Sequence, residues 1–476
     1  MSIRLLALYT MVGGLCIYAW KDWFTSLCGL ILIMAIIHHE DMPSNMFGVQ
    51  GFNVWNIMFL MIFLAWLTSR RREGLRWDAP GHMTVLFLAY FGVIIVGVLR
   101  TGLDRGYLAG FSGGYSLKDL ISEELINTVK WGLPGVLLFY GCRTRKQVIL
   151  ALVCILAMYF LLSLQIVKRM PLESALGGAD EYIQHVRLKV CASVGYSACD
   201  TSTMLAGVSW GVLASLSLVR KRIHKLAVLG VAGIVFFGQA LTGGRAGYLA
   251  WGATGLMLCL LKWRKYLILA PIAILLLPIL FPGAAERMLF GFGQTSAAGE
   301  ATVDELSVTS DRTVMWPYVV DKIVESPLIG YGRLAMIRIG LYQHLLSDLN
   351  ISFPHPHNMY LETLLDNGLL GSIPIFAFWA IMLVYSAALF RADNHLYSAV
   401  GGLALALMLA QLFAGIGAQH FYPGMSTTGM WLAMCLALRV TVEEKQSQQM
   451  SPAVPAVSPK LASMRRRVDA VPAGVV

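Results

Sequence analysis

The stretch GLLGSIPIFAFWAIMLVYSAALF, residues 368–390, decides the fold class of this chain. It contains no charged residue, and a helix of this length crosses a bilayer core of roughly 30 Å. The whole chain repeats the pattern, since 57% of its 476 residues are hydrophobic and only 13% are charged. Lipid admits only helices and closed barrels, and apolar runs this long and continuous are not barrel strands. The sequence therefore predicts an all-α, polytopic membrane protein.

Further apolar segments of this kind predict 12 or 13 transmembrane helices in total. The range arises because the first two segments are joined by a short break and can also form an irregular hairpin. The first segment lacks the typical n-region and the small-residue cleavage site of a signal peptide, so we interpret it as retained. The thirteen candidates lie at about 3–20, 24–38, 52–68, 82–99, 124–141, 146–167, 201–219, 226–242, 245–261, 265–281, 368–390, 397–418 and 425–439.

Basic residues in the short loops predict the orientation of these helices. The alternate short loops 38–51 and 419–424 contain no Lys or Arg. We therefore expect the basic loops to face the cytoplasm, and the net charge of +10 follows mostly from this asymmetry and from a basic C-terminal tail. No nucleic-acid partner is needed to explain it. The basic short loops are 68–81, 141–146, 220–225 and 262–265.

The same segments divide the chain into four regions, one of which is a long insertion between two helices. Long ordered insertions outside a membrane are often functional. In the largest insertion we predict a helix that begins at Ser310 or Asp311 and stops at a Ser-Pro pair, and a second short helix over 336–349. The regions are 1–281 with transmembrane helices 1–10, 282–367 as a large outer loop, 368–440 with the last transmembrane helices, and 441–476 as a disordered cytoplasmic tail.

Motifs for nucleotide chemistry are missing from the sequence. It contains no Walker loop, no Rossmann glycine pattern and no Asp-x-Asp pair that would hold a metal for nucleotide-sugar transfer. A reaction driven by a cytosolic nucleotide therefore lacks its usual residues.

Two of the eight cysteines, Cys191 and Cys199, share one outward loop. Because an oxidising compartment allows them to pair, we predict a disulfide between them, and the alternative is two free thiols.

Two outward-facing arginines are candidate binders of an anion. Arg245 follows a Gly-Gly break in LTGGRAGYLAW (241–251), at a depth where ionisable residues are costly and are functional candidates. Arg312 opens the first predicted loop helix. Guanidinium groups suit phosphate because their donors form a rigid fork, so the pair suggests a diphosphate or another bulky anion. The alternatives are that Arg245 snorkels to the membrane surface and that Arg312 is a solvated loop charge.

Directly before residue 368, the stretch FPHPHNMYLETLLDN (353–367) brings titratable residues to the start of a transmembrane helix. Proline suits the first helical turn, so we predict that Pro356 starts an amphipathic helix over 356–366. His357 then lies in the first turn and His355 lies outside it. The helix dipole and nearby arginines disfavour the imidazolium, so the His357 ring should be neutral near neutral pH and able to accept a proton.

The neighbours of these histidines leave other interpretations open. His355 and His357 could chelate zinc, although no third ligand stands at a recognisable spacing, or they could be polar residues at the membrane surface. Asn358 and Glu362 lie four residues apart on one helix face and can steady the turn. Tyr360 is placed to line the same pocket.

The pairing of DRTVMW…ESPLIGYG (311–332) with HPHNMYLETLLDNGLLG (355–371) resembles the O-antigen ligase and Wzy-type polymerase superfamily. Its members are integral membrane glycosyltransferases with a large periplasmic loop before the last helices. TGGRAGY (242–248) resembles the family's arginine at the outer end of a membrane helix, and MPSNMFGVQGFNVWN (42–56) is similar to its N-terminal region. The specific match covers roughly 310–372.

This resemblance implies a reaction at the outer face of a bacterial inner membrane. The donor is a glycan on undecaprenyl diphosphate, and the acceptor of a ligase is a sugar hydroxyl of lipid A–core. His357, which lies next to an asparagine, is implied as the base, and Arg245 and Arg312 as binders of the diphosphate, without a metal or other cofactor. The further candidates for substrate binding are Asn358, Tyr360, Arg333 and Arg338.

Other functions share these features. A Wzy-type polymerase would use a second lipid-linked glycan as the acceptor, and a protein O-oligosaccharyltransferase would use a protein hydroxyl. A transporter of lipid-linked glycans would share the helices and arginines without needing an outer base, and would more often show internal repeats. A membrane scaffold would tolerate the loss of His357 and Arg245 together.

Overall fold

The helices of the chain follow the apolar segments of its sequence. The structure, a computed structural model, describes residues 3–36, 42, 51–171, 181–280, 312–417 and 420–450, with isolated positions at 282, 285, 288, 294–295 and 301–302. Within these residues, the strands are limited to one antiparallel pair, Gln294–Thr295 with Ala301–Thr302. The prediction of an all-α fold is confirmed.

The α-helices of four or more residues in this described part are numbered here in chain order. Short 3₁₀ turns connect several of them, and a π-helical stretch, Leu120–Asn127, leads into α5. The helices are α1 (Ile3–Tyr18), α2 (Trp23–Ile33), α3 (Val54–Ser69), α4 (Gly81–Leu103), α5 (Thr128–Gly141), α6 (Arg145–Arg169), α7 (Glu181–Ser193), α8 (Ala198–Ala214), α9 (Arg222–Thr242), α10 (Arg245–Leu261), α11 (Ala270–Leu280), α12 (Arg312–Glu325), α13 (Ala335–Arg338), α14 (Leu341–Leu349), α15 (Met359–Arg391), α16 (His395–Ala414) and α17 (Thr428–Met450).

Seven of the helices described are long and apolar enough to cross a membrane. Each of the thirteen predicted segments contains a helix, but the count of 12 or 13 spans is not confirmed. The remaining helices at those segments have only 11 to 17 residues, and 16 residues of helix extend over about 24 Å. The seven are Gly81–Leu103, Arg145–Arg169, Ala198–Leu218, Arg222–Thr242, Met359–Arg391, His395–Ala414 and Met425–Ser447.

The last two spans form the centre of the bundle. They are the most buried of the seven, with 83% and 89% of their apolar windows inside the protein. α16 packs against α8, α10, α15 and α17, and α15 also packs against α4. Trp379 of α15 and Trp431 of α17 are among the largest fully buried side chains. The polar loops that lead into α15 and α17 are therefore held at the end of a rigid core.

Side-chain contacts gather the basic loops at the opposite end of the bundle. Arg143 and Arg439 both contact the carboxylate of Asp78, at 2.9 Å and 2.8 Å. Lys262 donates to the carbonyl oxygen of Phe390 at 2.7 Å. The loops that were predicted to share the cytoplasmic side thus contact one another or the neighbouring helices on that side.

At the other end, the segment 327–332 docks on a break in α15. Gly368 has φ 58° and interrupts the helix where the predicted span 368–390 begins. Beyond the break, the N–H of Leu369 donates to the carbonyl oxygen of Pro327 at 2.8 Å. Gly330 has φ 59°, and a Cβ atom there would lie 2.5 Å from the nitrogen of Gly368. Only glycine permits so close an approach, so the two halves of the sequence motif are joined directly through their backbones.

The helices of the outer loop follow their sequence signals in part. α12 ends at Glu325, directly before the Ser-Pro pair, as predicted, while Ser310 and Asp311 lie outside the described residues. The second predicted helix, 336–349, is two helices, α13 and α14. They separate at Gly340, whose φ of 80° does not fit a continuous right-handed helix.

Two further expectations differ from the structure. The last helix continues to Met450 rather than ending near 440, and an i, i+4 contact between Arg439 and Glu443 at 3.3 Å supports the extension. The rest of the predicted tail, from 451, lies outside the described residues, as does most of 42–56. Cys191 is buried and is not joined to Cys199 by a disulfide, so the disulfide prediction is wrong for this structure.

Candidate active site

The loop before α15 differs from the prediction at the helix start. The helix begins at Met359, and the side chain of Asn358 caps it by accepting two backbone N–H groups of the first turn, at 3.0 Å and 3.2 Å. Pro356 lies outside the helix, where its carbonyl oxygen accepts the indole N–H of Trp316 at 3.0 Å. The predicted start at Pro356 is therefore wrong, because asparagine satisfies the free donors of the first turn better. His357 lies before the cap rather than in the first turn.

His357 is held in a strained and partly buried position. Its φ of 50° is left-handed, a conformation that is rare outside glycine and is often found at functional sites. Its ring stands edge-on to Phe353 at 4.7 Å and lies 4.1 Å from the ring of His355, measured between centroids. The Nδ1 atom is buried and has no hydrogen-bond partner among the described residues.

The environment of His357 keeps its imidazole neutral. The pKa of His357 is lowered to about 3, chiefly by burial and then by the nearby groups His355 and Arg312. The predicted neutral ring therefore agrees with the structure, but desolvation is the largest cause rather than a helix dipole. His355 also has a lowered pKa, because of burial and the charge of His420.

The two candidate arginines lie on different helices, and Arg312 interacts electrostatically both with the His357 ring and with Arg245. Arg312 is the first residue of α12 and Arg245 is the first residue of α10. The Nε atom of Arg312 is buried and has no hydrogen-bond partner among the described residues. Burial lowers the pKa of Arg312, Cys199 opposes this effect, and the charge of Arg245 adds to it. Two cations thus repel each other beside a neutral histidine, and a bound anion would relieve that repulsion.

A third histidine, His420, is absent from the predicted site residues and lies in the loop between α16 and α17. Its Nδ1 atom lies 2.5 Å from Oε2 of Glu362, and its ring centroid lies 5.3 Å from that of His355. The Glu362 carboxylate raises the pKa of His420 against the opposing effect of burial. His420 could have been found from the sequence, because it is a titratable residue in a predicted outward loop, as His355 and His357 are.

The Glu362 side chain thus pairs with His420, and its tie to Asn358 is the backbone hydrogen bond from its N–H to the Asn358 carbonyl oxygen at 2.9 Å. It connects His420 to a buried ionic cluster around Arg333. Arg333 contacts Asp366 at 2.9 Å, Glu362 at 3.8 Å and, more closely, Glu124. The ring of Tyr422 lies 3.6 Å below the guanidinium, and its hydroxyl donates to Asp366 at 3.0 Å. The carboxylates around Arg333 outweigh the effect of burial and raise its pKa.

The remaining candidates face groups of the protein itself. Arg338 donates to the carbonyl oxygen and the carboxylate of Asp104, at 2.5 Å and 3.1 Å. The Tyr360 hydroxyl donates to the carbonyl oxygen of Leu412 at 2.9 Å, and its ring packs against Phe421. Arg312 thus interacts with both His357 and Arg245, whereas Arg338 and Tyr360 have partners within the protein.

No group of three or more His, Cys, Asp or Glu side chains in the described ranges is arranged to hold a metal ion. The three histidines near the site are therefore arranged as ring neighbours rather than as a coordination shell. The zinc interpretation of His355 and His357 gains no third ligand from these residues.

A multi-pass helical membrane protein with arginines and histidines at one end of its bundle is the class that this fold and site define. Residues 230–376 match the model of a protein family described as O-antigen ligase, a range that contains Arg245, Arg312 and His357. The chain is also 24% identical over 204 residues to a candidate polysaccharide ligase of Rickettsia conorii. That match covers 41% of this chain and 47% of the relative, so it spans about half of the relative's length. Both matches agree with the resemblance to the O-antigen ligase and Wzy-type superfamily that the motifs predicted.

Proposed function

We propose that the protein is an O-antigen ligase-type glycosyltransferase of the bacterial inner membrane. It moves a glycan from undecaprenyl diphosphate to a sugar hydroxyl of lipid A–core at the periplasmic face. The single observation that carries the proposal is that Arg312 interacts electrostatically with both His357 and Arg245, which come from two other chain segments. The match to the family model supports a polysaccharide ligase, and the residues supply the proposed chemistry.

The arginines bind the diphosphate of the donor. Arg312 has a buried Nε donor without a partner among the described residues, and its guanidinium lies close enough to Arg245 for their charges to interact. Rigid guanidinium forks fit phosphate oxygens, and preorganised donors stabilise the charge that develops on a leaving diphosphate. The leaving group thus departs with its charge neutralised by groups that need no rearrangement.

His357 accepts the proton of the acceptor hydroxyl. As the acceptor oxygen forms its bond to the anomeric carbon, the bond from that carbon to the diphosphate oxygen breaks. The hydroxyl proton passes to His357, whose neutral ring has a buried nitrogen, Nδ1, without a partner in the described residues. A diphosphate at Arg312 brings negative charge close to the ring and raises its pKa from about 3 towards the working pH, which strengthens the base. Direct attack of this kind inverts the anomeric centre.

Reconstitution in liposomes tests the function and the acceptor together. Purified protein receives an undecaprenyl-diphosphate-linked glycan with lipid A–core, with a second lipid-linked glycan, or with a hydroxyl-bearing protein. Mass spectrometry then identifies the product. We expect transfer to lipid A–core, while product only with the second or third acceptor would identify a polymerase or a protein oligosaccharyltransferase instead.

Matched variants test the site within the same assay. Arg245→Ala and Arg312→Ala should both reduce transfer strongly, whereas Arg220→Ala removes an exposed arginine from a basic loop and should have no effect. Movement of the intact donor across the liposome without any transfer would favour a transporter. Full transfer by the Arg245 and Arg312 variants would refute the diphosphate site.

A further inference from the structure

His420 lies outside the part of the chain that matches the family, in the loop between α16 and α17. It nevertheless stands beside the proposed site, because its ring lies 5.3 Å from that of His355 and its charge lowers the pKa of both His355 and His357. The site is therefore built from a fourth chain segment as well. Nothing in the proposed chemistry so far uses this segment.

The hydrogen bond between His420 and Glu362 fixes the orientation of the His420 ring. Nδ1 of His420 lies 2.5 Å from Oε2 of Glu362, whose other oxygen lies 3.8 Å from the buried Arg333. Only 10% of the Glu362 side chain is exposed, against 44% of the His420 side chain. With Nδ1 occupied by the carboxylate, the exposed edge of the ring presents Nε2.

The charges around His420 favour its imidazolium form. Glu362 raises the pKa of His420 and Asp200, at the start of α8, adds to this, whereas burial and Arg333 oppose it. The neighbouring rings His355 and His357 have lowered pKa values, so they stay neutral while His420 carries its proton. The charge of His420 is present below its raised pKa and is lost as the pH rises through that value.

We propose that His420 is a third cationic ligand of the diphosphate, oriented by Glu362 so that its Nε2–H donates to a phosphate oxygen beside Arg312 and Arg245. The inference rests on the proposed function and extends its anion site to the loop between the last two transmembrane helices. Glu362 acts as a positioning residue, because it holds the ring and its proton without touching the substrate. Diphosphate binding then depends on pH through His420.

The test measures the binding of undecaprenyl diphosphate, without a glycan, to the full chain in lipid nanodiscs at about pH 6 and about pH 9. Wild-type affinity should fall at the higher pH. His420→Gln should bind about tenfold or more weakly at the lower pH, the expected loss of a hydrogen bond to a charged group. It should also keep only the pH dependence of the ligand itself. His420→Lys keeps a positive charge across this range. It should therefore retain binding at both pH values, again with only the pH dependence that the ligand itself contributes.

His344 provides a matched control, because it is another histidine that pairs with a carboxylate, Asp348, at 2.9 Å, but on an exposed helix surface. His344→Gln should leave both affinity and pH dependence unchanged. If His420→Gln or His420→Lys keeps the wild-type pH dependence, the inference is wrong. If Arg312→Ala also binds like the wild type, the proposed diphosphate site fails, and the two failures are thereby distinguished. If His420→Gln does not fold, the pH profile of His420→Lys decides the question alone.

Discussion

Replacing Arg333 by alanine is expected to destabilise the fold rather than to remove a substrate contact. The side chain is 8% exposed, and its guanidinium contacts three carboxylates, of which Asp366 is 2% exposed and Glu362 is 10% exposed. Its backbone is also fixed, since its N–H donates to the carbonyl oxygen of Gly97 at 3.2 Å. Such a residue holds the outer loop to α4 and α15, and it offers little surface to a ligand.

The size of the effect follows from the charges that Arg333→Ala would leave behind. Removing one partner of a buried ion pair costs about 3–5 kcal/mol, because the remaining charge has neither water nor a counterion. Arg333→Ala leaves Asp366 in that situation. A second change, Asp366→Asn, removes the orphaned charge, so the double variant should regain part of the lost stability.

Thermal denaturation in detergent, followed by size-exclusion chromatography, measures this prediction. The apparent Tm of Arg333→Ala should fall on the order of 5 °C. The shift is modest because a given loss of stability lowers the Tm of a long chain less than that of a small domain. Lys322→Ala is the control, because it breaks an exposed ion pair with Glu325, at 36% and 55% exposure, that is worth less than about 1 kcal/mol. An Arg333→Ala protein that melts like the wild type but has lost transfer would refute the reasoning and make Arg333 a substrate ligand.

Three further predictions concern the proposed site and the topology. His357→Ala should reduce single-turnover transfer by about 10²–10⁴-fold while donor binding persists, and His355→Ala should be much milder; normal turnover by His357→Ala would exclude it as the base. Arg312→Lys should restore only part of the donor affinity lost in the alanine variant, because lysine keeps the charge without the fork, and equal affinity of lysine and wild type would argue against bidentate binding. Cysteines introduced at Ser69 and Ser296 should be labelled from opposite sides of the membrane, and labelling of both from one side would contradict the predicted orientation.

Local signals in the sequence predicted the elements of the fold well. The Ser-Pro pair marked the end of α12 correctly, because the residue before a proline is disfavoured in a helix. The start of the apolar run at 368 coincides with the break in α15 at Gly368. These features depend on residues close together in the chain, so composition and periodicity suffice to find them.

The same local reasoning failed where two signals competed or where partners were distant. Pro356 and Asn358 are both helix-start residues two positions apart, and the cap bonds of Asn358, with the distant contact of Pro356 to Trp316, decide between them. The pairing of Glu362 with His420 joins positions 58 residues apart, and that of Arg333 with Glu124 joins positions 209 apart. No spacing rule relates such residues, so the ionic cluster could not be predicted.

The ionic cluster links the carboxylates of the 355–371 motif to the glycines at which the two motif halves dock. Glu362 and Asp366 lie one turn apart on the same face of α15, where two negative charges would repel each other. Arg333 contacts both of them, at 3.8 Å and 2.9 Å, and it reaches this face because Gly330 allows the preceding backbone to dock at Gly368.

With one oxygen directed towards Arg333, Glu362 presents its other oxygen to His420, 2.5 Å from Nδ1. The docking of two backbones at one end of the bundle thus determines the orientation of a ring beside the proposed diphosphate site. Residues remote from the substrate, such as Gly330, are therefore tied to the chemistry through an unbroken series of contacts. Their effect on transfer should pass through the position of Glu362 rather than through any contact of their own with the glycan.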